Sequence, residues 1–487
     1  MLLSQLPKSA SIQAGPDGTN LGAEQLIRSA NARASALMEM GLAPGKRLAI
    51  VPSQPTQLLI DIFAAWQCNA VPVCLAPALP PTEIASVQQS IRPDVWSLPT
   101  EVSPPPNSPT LLPADPSHQS ADAPEVTDAS ADDPALVLMT SGTTSTPKGV
   151  VLSHRALLAR LALNIAHIPS NALKTSLCLL PLHFGHGLIG NTLTPLIAGG
   201  RVILWPDAGL AGLSRLGPVI DDHGIGFLSS VPAIWQIALR TSPPPKAGNL
   251  RRVHIGSAPL SVAQWQAVAD WSGTPHIVNM YGMTEAANWI AGHDLAEGPA
   301  TDGLVGRCWG GALAVRLPDG TVVRSGRGDV LVASPSLMLG YLDQPEQSAA
   351  SLKDGWLNTG DIGEIDEDGN LRLVGRTKFE INRAGIKIPA EEVDLLLQGH
   401  PDIAEACGFA MPDTILGEAV AAAVVVEEER AFRPDDVLEW CRQRIRPDAV
   451  PSRLFQVDQL ARSDRGKVLR DRVAKQCLAN QPGDLAP

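Results

Sequence analysis

The stretch LMTSGTTSTPKGVVLSH occupies residues 138–154 and separates two short apolar runs. Residues 136–139 are predicted to form a strand, and residues 150–152 to continue it after the polar segment. That segment contains small hydroxylated residues, two glycines and Lys148. Glycines let backbone N–H groups approach an anion, hydroxyls donate to it, and a lysine supplies positive charge. The stretch therefore predicts an oligophosphate-binding loop; the alternative is a plain polar loop between strands, and the spacing is not that of a P-loop.

On both sides of this loop, apolar runs rich in β-branched residues alternate with segments of helical period. The predicted strands are 47–52, 71–77, 135–139, 176–181, 201–205, 226–232, 252–257 and 276–280, and two predicted helices are 154–166 and 260–271. Such alternation is typical of βαβ units with mostly parallel sheets. The sequence thus predicts an α/β fold for the first part of the chain.

Three other regions differ in composition. Residues 98–133 are rich in Pro, Ser and Asp and are predicted to be a surface loop or linker. After about residue 310, closely spaced Gly and Asp turns indicate a small antiparallel β region. The last part of the chain mixes helix and strand and is long enough for a small α+β domain. We expect an N-terminal domain over 1–377 and a mobile C-terminal domain over 378–487.

The overall composition excludes several classes of function. The 487 residues are 44% hydrophobic and 18% charged, with a formal net charge of -12, and they contain no long Lys/Arg run. A nucleic-acid partner is therefore not expected. The longest apolar run, residues 419–426, is too short to cross a membrane. Seven scattered cysteines without disulfide or metal spacing favour a reducing, cytoplasmic location.

The segment TSGTTSTPKG, residues 140–149, resembles the signature loop of the adenylate-forming superfamily: acyl- and aryl-CoA synthetases, peptide-synthetase adenylation domains and luciferases. Ser145 departs from it, since the family usually has a glycine there. The resemblance, which is strongest to a free-standing AMP-dependent acyl-CoA synthetase, implies an ATP site. Its residues in this loop would be Thr140, Ser141, Gly142, Thr143, Thr144 and Lys148.

Two further motifs follow in the order that the family has them. NMYGMTEA, residues 279–286, resembles the segment that contacts adenine, phosphate and metal, and GSAPL, residues 256–260, resembles the adenine-lining segment. The resemblance implies nucleotide binding by Asn279, Tyr281, Gly282, Gly256, Ser257 and Ala258. The resemblance also implies that Thr284 and Glu285 serve phosphate and metal, so both are predicted to be catalytic. Their chemistry agrees, since Glu285 suits Mg²⁺ bridging phosphates and Thr284 suits donation to the α-phosphate. An isolated Thr-Glu pair is otherwise a helix cap or a surface pair.

The C-terminal motifs complete the resemblance. NTGDIG, residues 358–363, implies that Asp361 accepts from the ribose hydroxyls, and GRTKFEINRAGIKIPAEEVD, residues 375–394, resembles the family's hinge. The hinge implies a nucleotide contact by Arg376, a pivot at Lys378 and an approach of the acceptor thiol at Gly385. It departs from the family at Asn382, where a lysine is usual. LARSDRGKVLRDR, residues 460–472, implies that Lys467 is the catalytic lysine, which would stabilise charge as the carboxylate attacks the α-phosphate.

The residues that select the acid are less clearly marked. LPLHFGHGLIG, residues 180–190, stands where the family's acyl pocket begins, with the usual aromatic–His order reversed as His183-Phe184. His183 and His186 are candidate pocket residues, or histidines satisfied within a helix start. Asn288 and Trp289 are predicted to line the same pocket and indicate a modest-sized or aromatic acid. No Asp stands where amino-acid-activating relatives hold the substrate ammonium, which disfavours an α-amino acid.

The sequence therefore predicts an AMP-forming acid ligase that uses ATP and Mg²⁺ to make an acyl-adenylate from a small carboxylic acid. Coenzyme A is the expected acceptor, because no carrier domain follows the lysine motif. A carrier protein or an amine is the alternative acceptor. A nucleotide-binding but inactive relative is the alternative from another class, and the presence of Lys148, Glu285, Asp361 and Lys467 argues against it.

Overall fold

The computed structural model describes residues 6–77, 79–105, 108–111, 129–140, 148–206, 208–376, 379–383, 386–413, 417–427, 430–462 and 467–479. The chain divides into two compact units. The first comprises Met1–Ala300, Val305–Ala312 and Val332–Leu357, and the second comprises Thr301–Leu304, Leu313–Leu331 and Asn358–Pro487. The fold is mixed α/β with a large N-terminal sheet domain and a smaller C-terminal one, as the sequence predicts. The exact boundary at 377/378 stays a prediction.

The helices of the first unit are amphipathic segments between its strands. They are α1 (Ala23–Glu39), α2 (Pro55–Gln67), α3 (Pro81–Ile91), α4 (His154–His167), α5 (Thr194–Ile197), α6 (Gly209–Leu213), α7 (Leu216–His223), α8 (Pro232–Thr241), α9 (Val262–Ser272) and α10 (Pro345–Ser351). Local chemistry sets several ends. The Ser153 and Ser261 side chains accept hydrogen bonds from the backbone at the starts of α4 and α9. Left-handed Gly224 and Gly273 end α7 and α9.

The strands of the first unit form two sheets. They are β1 (Ser11–Ala14), β2 (Asn20–Gly22), β3 (Arg47–Ile50), β4 (Val71–Cys74), β5 (Val95–Ser97), β6 (Thr110–Leu111), β7 (Pro134–Thr140), β8 (Lys148–Ser153), β9 (Thr175–Cys178), β10 (Arg201–Leu204), β11 (Phe227–Ser230), β12 (Arg252–Gly256), β13 (Ile277–Met283), β14 (Asn288–Asp294) and β15 (Leu304–Cys308). Each of the eight predicted strands is present. The described part of the predicted loop 98–133 contains β6, which extends the edge of a sheet beside β5.

The first sheet has the order β2-β1-β10-β9-β11-β12-β13-β14-β15, and its six strands from β1 to β13 are parallel. Parallel strands with helices between them bury both faces, which explains their continuous apolar composition. Further along the chain are β16 (Ala312–Arg316), β17 (Val322–Val323), β18 (Gly326–Ala333), β19 (Gly340–Tyr341), β20 (Leu352–Lys353), β21 (Trp356–Ile365) and β22 (Leu371–Arg376). The second sheet has the order β19-β8-β7-β4-β3-β5-β6.

The core of the first sheet is built around its own helices. Trp235 of α8 and Trp265 of α9 are fully buried against Leu177, Leu228 and Ile255 of the parallel strands. Because each tryptophan also donates a hydrogen bond, to Ser230 and to the Ile277 carbonyl respectively, its orientation is fixed as well as its burial. This rigid layer holds the carboxyl ends of β11, β12 and β13, where ligands bind in open parallel sheets.

The second unit is antiparallel in its strand pairs β16–β17 and β21–β22, as predicted for the region after residue 310. Its remaining elements are β23 (Glu380–Arg383), β24 (Ile386–Pro389), α11 (Ala390–Gln398), β25 (Ile403–Asp413), β26 (Gly417–Val426), α12 (Pro434–Arg442), β27 (Arg453–Gln456) and α13 (Arg470–Ala479). The apolar run at 419–426 is the buried middle strand β26, with β25 and β27 beside it. Among the described residues, no helix is long and apolar enough to cross a membrane.

Candidate active site

The predicted phosphate loop joins two antiparallel strands. Thr140 ends β7, Lys148 begins β8, and the two residues are paired across the ladder. The Thr140 hydroxyl donates to the Lys148 carbonyl at 3.4 Å. Ser141, Gly142, Thr143, Thr144 and Ser145 lie outside the described residues. The structure therefore fixes both ends of the loop and the base from which Lys148 extends.

Tyr341 connects Lys148 to Glu285. Tyr341 lies on β19, beside β8, and its ring centroid is 5.5 Å from Lys148 Nζ. Its hydroxyl donates to Glu285 Oε1 at 3.0 Å. Burial, together with the neighbouring Glu285 carboxylate, raises the pKa of Tyr341, so the hydroxyl remains a donor at any physiological pH. We call Lys148, Tyr341 and Glu285 the phosphate-side cluster. The sequence did not distinguish Tyr341 from a core residue, because nothing in it shows that β19 pairs with β8.

A buried arginine supports, through a hydrogen-bonded serine, the turn that carries Thr284 and Glu285. Thr284–Ala286 form a single 3₁₀ turn, and the Ser336 hydroxyl donates to the Ala286 carbonyl at 3.0 Å. Arg160 of α4 donates to Ser336 Oγ at 2.6 Å and to the Trp309 carbonyl at 3.2 Å. Burial lowers the pKa of Arg160 to about 10, which leaves it charged at neutral pH. Sequence reasoning placed Arg160 in a helix but contained no indication of this role.

The predicted adenine segments lie side by side. Gly256 ends β12 opposite Met280 of β13, and a Cβ at Gly256 would lie only 2.9 Å from the Met280 carbonyl oxygen, so glycine is required. Ser257 follows with φ +68°, a left-handed conformation that turns the chain away from the sheet. Asn279 and Tyr281 are buried on β13. The two predicted adenine segments thus come from adjacent strand ends. One supplies Gly256, Ser257 and Ala258, and the other supplies Asn279, Tyr281 and Gly282.

A small cavity lies at the same strand ends. It has a volume of about 20 Å³ and is lined by His186, Gly256, Ser257, Met280, Gly282, Asn288 and Trp289. Three of the four predicted acid-pocket residues therefore meet there. His183 is not among the described lining residues; it is buried with its ring 3.8 Å from that of Phe184. Met280 is a lining residue that the sequence analysis did not single out.

His186 is held between two serines. One ring nitrogen lies 2.9 Å from Ser257 Oγ and the other lies 2.7 Å from Ser229 Oγ. Burial lowers the pKa of His186 to about 4, so the imidazole is uncharged at neutral pH. His186 is the first residue of a π-helix, His186–Leu193, whose Gly190 packs against Asn288 and Trp289. His186 thus contributes a fixed neutral polar group to the cavity.

In the second unit, Asp361 and Arg376 are brought together. They are directly opposite each other on β21 and β22, and Arg376 Nε lies 2.8 Å from Asp361 Oδ1. Asp361 is buried, with 4% of its surface exposed, whereas the Arg376 side chain is 42% exposed. The structure therefore joins the two residues that the resemblance assigns to ribose and nucleotide binding.

Lys467 is exposed and lies between two anchoring contacts of the second unit. Before it in the chain, Arg462 forms an ion pair with Glu405 at 2.8 Å, and the backbone of Arg462 forms an isolated antiparallel β-bridge with Val468. On the other side Arg470 begins α13 and forms a bidentate ion pair with Asp394 of α11, at 3.0 and 2.6 Å. Lys378 and Gly385, the predicted pivot and acceptor-facing residues, lie outside the described residues.

The family assignment follows from comparison with known proteins. The model of the AMP-binding enzyme family matches residues 5–342, and the model of its C-terminal domain matches residues 392–467. The chain therefore belongs to the AMP-binding enzyme family, within the adenylate-forming superfamily. It is an AMP-forming acid–thiol ligase by class.

Individual relatives share much of the chain. It is 36% identical to the probable CoA ligase CCL9 of Humulus lupulus, over 71% of this chain and 67% of that protein. It is 35% identical to an oxalate–CoA ligase of Arabidopsis thaliana, over 71% of this chain and 68% of that protein. It is 31% identical to the fatty acid–[acyl-carrier-protein] ligase ScoC of Streptomyces coeruleorubidus, over 93% of this chain and 91% of that protein.

A solved structure has the same fold. ATP-bound MatB from Rhodopseudomonas palustris superposes with a TM-score of 0.87, covers 98% of each chain and is 24% identical. The fold of this chain is thus that of the adenylate-forming enzymes.

Proposed function

We propose that this enzyme activates a small carboxylic acid with MgATP and transfers the acyl group to coenzyme A. The observation that carries the first half of this proposal is the phosphate-side cluster. It places a lysine ammonium and an oriented carboxylate on either side of one tyrosine ring, in the two motifs assigned to ATP. A nucleotide-binding protein without catalytic function would have no need of this arrangement.

In the first half-reaction, a carboxylate oxygen of the acid attacks the α-phosphorus of ATP, and the bond to the bridging oxygen breaks to release pyrophosphate. Thr284 donates to the α-phosphate, and Lys148 offsets the charge of the departing phosphates. Gly256, Ser257, Ala258, Asn279, Tyr281 and Gly282 hold the adenine side, and Asp361 with Arg376 holds the ribose. Lys467 is proposed to stabilise the charge that develops as the carboxylate attacks the phosphate.

Glu285 is the residue proposed to bind Mg²⁺. Its carboxylate is a hard oxygen ligand, and within the described part of the chain Tyr341 donates to one of its two oxygens. Mg²⁺ is commonly held by one or two carboxylates together with substrate phosphates. The ion would neutralise phosphate charge when bound. Among the residues that the structure describes, no cluster of three or more His, Cys, Asp or Glu side chains offers an all-protein metal cage, which fits a metal that arrives with ATP.

In the second half-reaction, a thiolate attacks the acyl carbon and AMP leaves. We propose that the C-terminal domain turns about Lys378, which withdraws Lys467 and presents Gly385 to the thiol. Coenzyme A is favoured as acceptor because two relatives are CoA ligases by name. A carrier protein is the second candidate, because ScoC, which matches over most of the chain, is named for that acceptor. An amine acceptor is the third.

The test is to incubate the purified enzyme with ATP, Mg²⁺, a panel of carboxylic acids and coenzyme A. Pyrophosphate release and acyl-CoA are then measured, the latter by mass spectrometry. We expect both products with at least one acid. Acyl-AMP that accumulates without thioester would contradict coenzyme A as acceptor, and a phosphopantetheinylated carrier protein would be tried next. Absence of pyrophosphate with every acid would contradict adenylation and favour the inactive relative.

A cytoplasmic location is proposed on the seven cysteines, each of which is a free thiol in the structure.

A further inference from the structure

Every carbonyl of the Thr284–Ala286 turn accepts a hydrogen bond. The N–H of Ala287 donates to the first carbonyl at 2.9 Å, which closes the turn itself. The N–H of Met338 donates to the second carbonyl, that of Glu285, at 2.8 Å, and the hydroxyl of Ser336 donates to the third at 3.0 Å. The backbone conformation of the turn, and with it the direction of the Glu285 side chain, therefore depends on a segment that is distant in the chain.

Two of these donors belong to residues 334–341, which we call the bridging segment. Its C-terminal end is β19, which pairs with β8. Its N-terminal end lies between strands and is held by the guanidinium of Arg160, which donates to Ser334 Oγ at 3.2 Å and to Ser336 Oγ at 2.6 Å. Because α4, which carries Arg160, directly follows β8, both ends of the bridging segment are fixed to one strand–helix unit, and Lys148 is the first residue of that unit.

Arg160 is a fully buried cation that is held by neutral groups. Its side chain is 0% exposed, and among the described residues its acceptors are the two serine hydroxyls and the Trp309 carbonyl, with no carboxylate at ion-pair distance. Removal of a guanidinium from water without an opposite charge is unfavourable. An apolar side chain of similar volume often stabilises a protein at least as well as a buried charge does. Groups that are kept at a cost in stability concentrate at functional sites.

We infer that Arg160 is a positioning residue for the proposed metal ligand: through Ser336 it sets the direction of the Glu285 carboxylate relative to Lys148. The Ser336 oxygen accepts from the guanidinium, and its own proton is thereby directed to the Ala286 carbonyl. Arg160 acts on the turn through another side chain, so it is not a catalytic residue. This inference rests on the proposed function, because it requires that Glu285 binds Mg²⁺.

The first experiment measures hydrogen exchange of the turn without nucleotide or metal. Mass spectrometry of peptides that contain the amides of Ala287 and Met338 reports how often the turn opens, since both amides donate within it. Ser336→Ala removes the donor to the Ala286 carbonyl, and Arg160→Met removes the group that orients that donor. Each variant should exchange both amides at least ~3-fold faster than wild type, which is the effect of one lost hydrogen bond. Ser336→Ala alone tests the same contacts if Arg160→Met does not fold.

The second experiment measures pyrophosphate release as a function of Mg²⁺ concentration, with an acid that the wild type uses. A misdirected carboxylate binds the metal more weakly. Both variants should therefore need at least ~3-fold more Mg²⁺ for half of their maximal rate, whereas the KM for the acid should change by less than about twofold. The double variant should behave as Ser336→Ala does, because Arg160 acts through that hydroxyl.

Ser242→Ala is the matched control. Ser242 is also a buried serine of the first unit, and its hydroxyl oxygen accepts from the Gly217 N–H at 3.0 Å, so the same chemical group is lost at a place that does not contact the turn. This variant should lower the unfolding midpoint but keep both the exchange of the turn and the Mg²⁺ requirement of wild type.

The possible results separate this inference from the proposed function. Faster exchange and a higher Mg²⁺ requirement in both variants, with neither in Ser242→Ala, would support a positioning role. Unchanged exchange, or faster exchange with an unchanged Mg²⁺ requirement, would overturn it, as would an equal rise in Ser242→Ala. Additive effects in the double variant would overturn the route through Ser336. A wild-type enzyme that releases no pyrophosphate with any acid would contradict the proposed function, and the inference with it, before any substitution is made.

Discussion

The hydroxyl of Tyr341 donates to the carboxylate of Glu285, at 3.0 Å, while the face of the same ring lies 5.5 Å from the ammonium of Lys148. Glu285 and Lys148 carry opposite charges and come from segments far apart in the chain. The tyrosine contacts both groups, one through its hydroxyl and the other through the face of its ring. It therefore acts as a positioning residue for the two groups proposed to serve metal and phosphate.

Tyr341→Phe should lower the rate of adenylation by roughly tenfold, since a hydrogen bond to a charged group contributes about 1.5–3 kcal/mol. The loss should be partly overcome by high Mg²⁺, because the freed carboxylate is less well oriented but still present. Pyrophosphate release as a function of Mg²⁺ concentration measures both effects. The ring remains beside Lys148, so the KM for ATP should change by no more than about twofold. Tyr341→Leu, which removes the ring as well, should raise that KM. A Tyr341→Phe enzyme with an unchanged rate at every Mg²⁺ concentration would show that the hydroxyl has no role.

Much of the first unit could be predicted from the sequence, and the reason is local. The apolar runs of β3, β9 and β12 are typical of buried parallel strands in an α/β protein. The capping residues Ser261 and Gly273 mark the start and the end of helix α9. Asp361 and Arg376 were each assigned to the nucleotide by the resemblance, and the structure pairs them on neighbouring strands. These features depend on residues close together in the chain.

The features that escaped prediction depend on contacts between distant segments. Arg160 and Ser336 are separated by 176 residues, and their hydrogen bond supports the Thr284–Ala286 turn. The close packing of Gly190 against Trp289 is another such contact, which no periodicity indicates.

Two buried histidines should make the first unit less stable in acid. Burial, with smaller effects of Arg252 and His186, lowers the pKa of His254 well below its ordinary value, and burial lowers that of His186 to about 4. Both rings stay neutral in the folded protein, whereas the unfolded chain binds protons below about pH 6.5. Their contribution is therefore complete above pH 6.5 and is lost as pH falls; at pH 5 the loss is on the order of 2 kcal/mol for a fully buried histidine.

Urea unfolding followed by tryptophan fluorescence at pH 7, 6 and 5 measures this loss, since most of the ten tryptophans lie in the first unit. His254→Gln should flatten the dependence on pH, because glutamine can still accept the hydrogen bond from Arg252 Nε, which lies 2.9 Å from His254 Nε2. His167→Gln, at an exposed position, is the control and should keep the slope. An equal slope in wild type and His254→Gln would show that another group controls the acid sensitivity.

The ion pair between Arg470 and Asp394 should stabilise the second unit and position Lys467. Burial alone lowers the pKa of Arg470, but Asp394 and the other acidic neighbours together outweigh it and raise that pKa, so the guanidinium is charged at every accessible pH. The two side chains are only 11% and 14% exposed. Arg470→Met alone should cost roughly 2–4 kcal/mol of unfolding free energy, because the buried Asp394 loses its charged partner. Asp394→Asn should cost less, because Arg470 keeps an ion pair with Glu391 at 3.7 Å. The double variant should cost less than the sum of the two, which a double-mutant cycle measures. Additive losses would mean that the two residues act independently.

Lys467→Ala separates the two half-reactions. The lysine is proposed to stabilise charge only while the carboxylate attacks the α-phosphate, so its loss should slow adenylation by on the order of 10²–10³. Transfer from a chemically prepared acyl-adenylate to coenzyme A should keep at least about half of its rate, because the lysine has no proposed part in that step. Lys467→Arg keeps the charge but changes its shape, and should recover part of the adenylation rate.

The three enzymes are compared by pyrophosphate release for the first step and by acyl-CoA formation from the adenylate for the second. The exposed position of Lys467 predicts an unchanged unfolding midpoint, so a lower rate would reflect chemistry rather than stability. Near-normal pyrophosphate release by Lys467→Ala would remove the lysine from the mechanism, and equal losses in both steps would mean that it binds nucleotide rather than promotes attack.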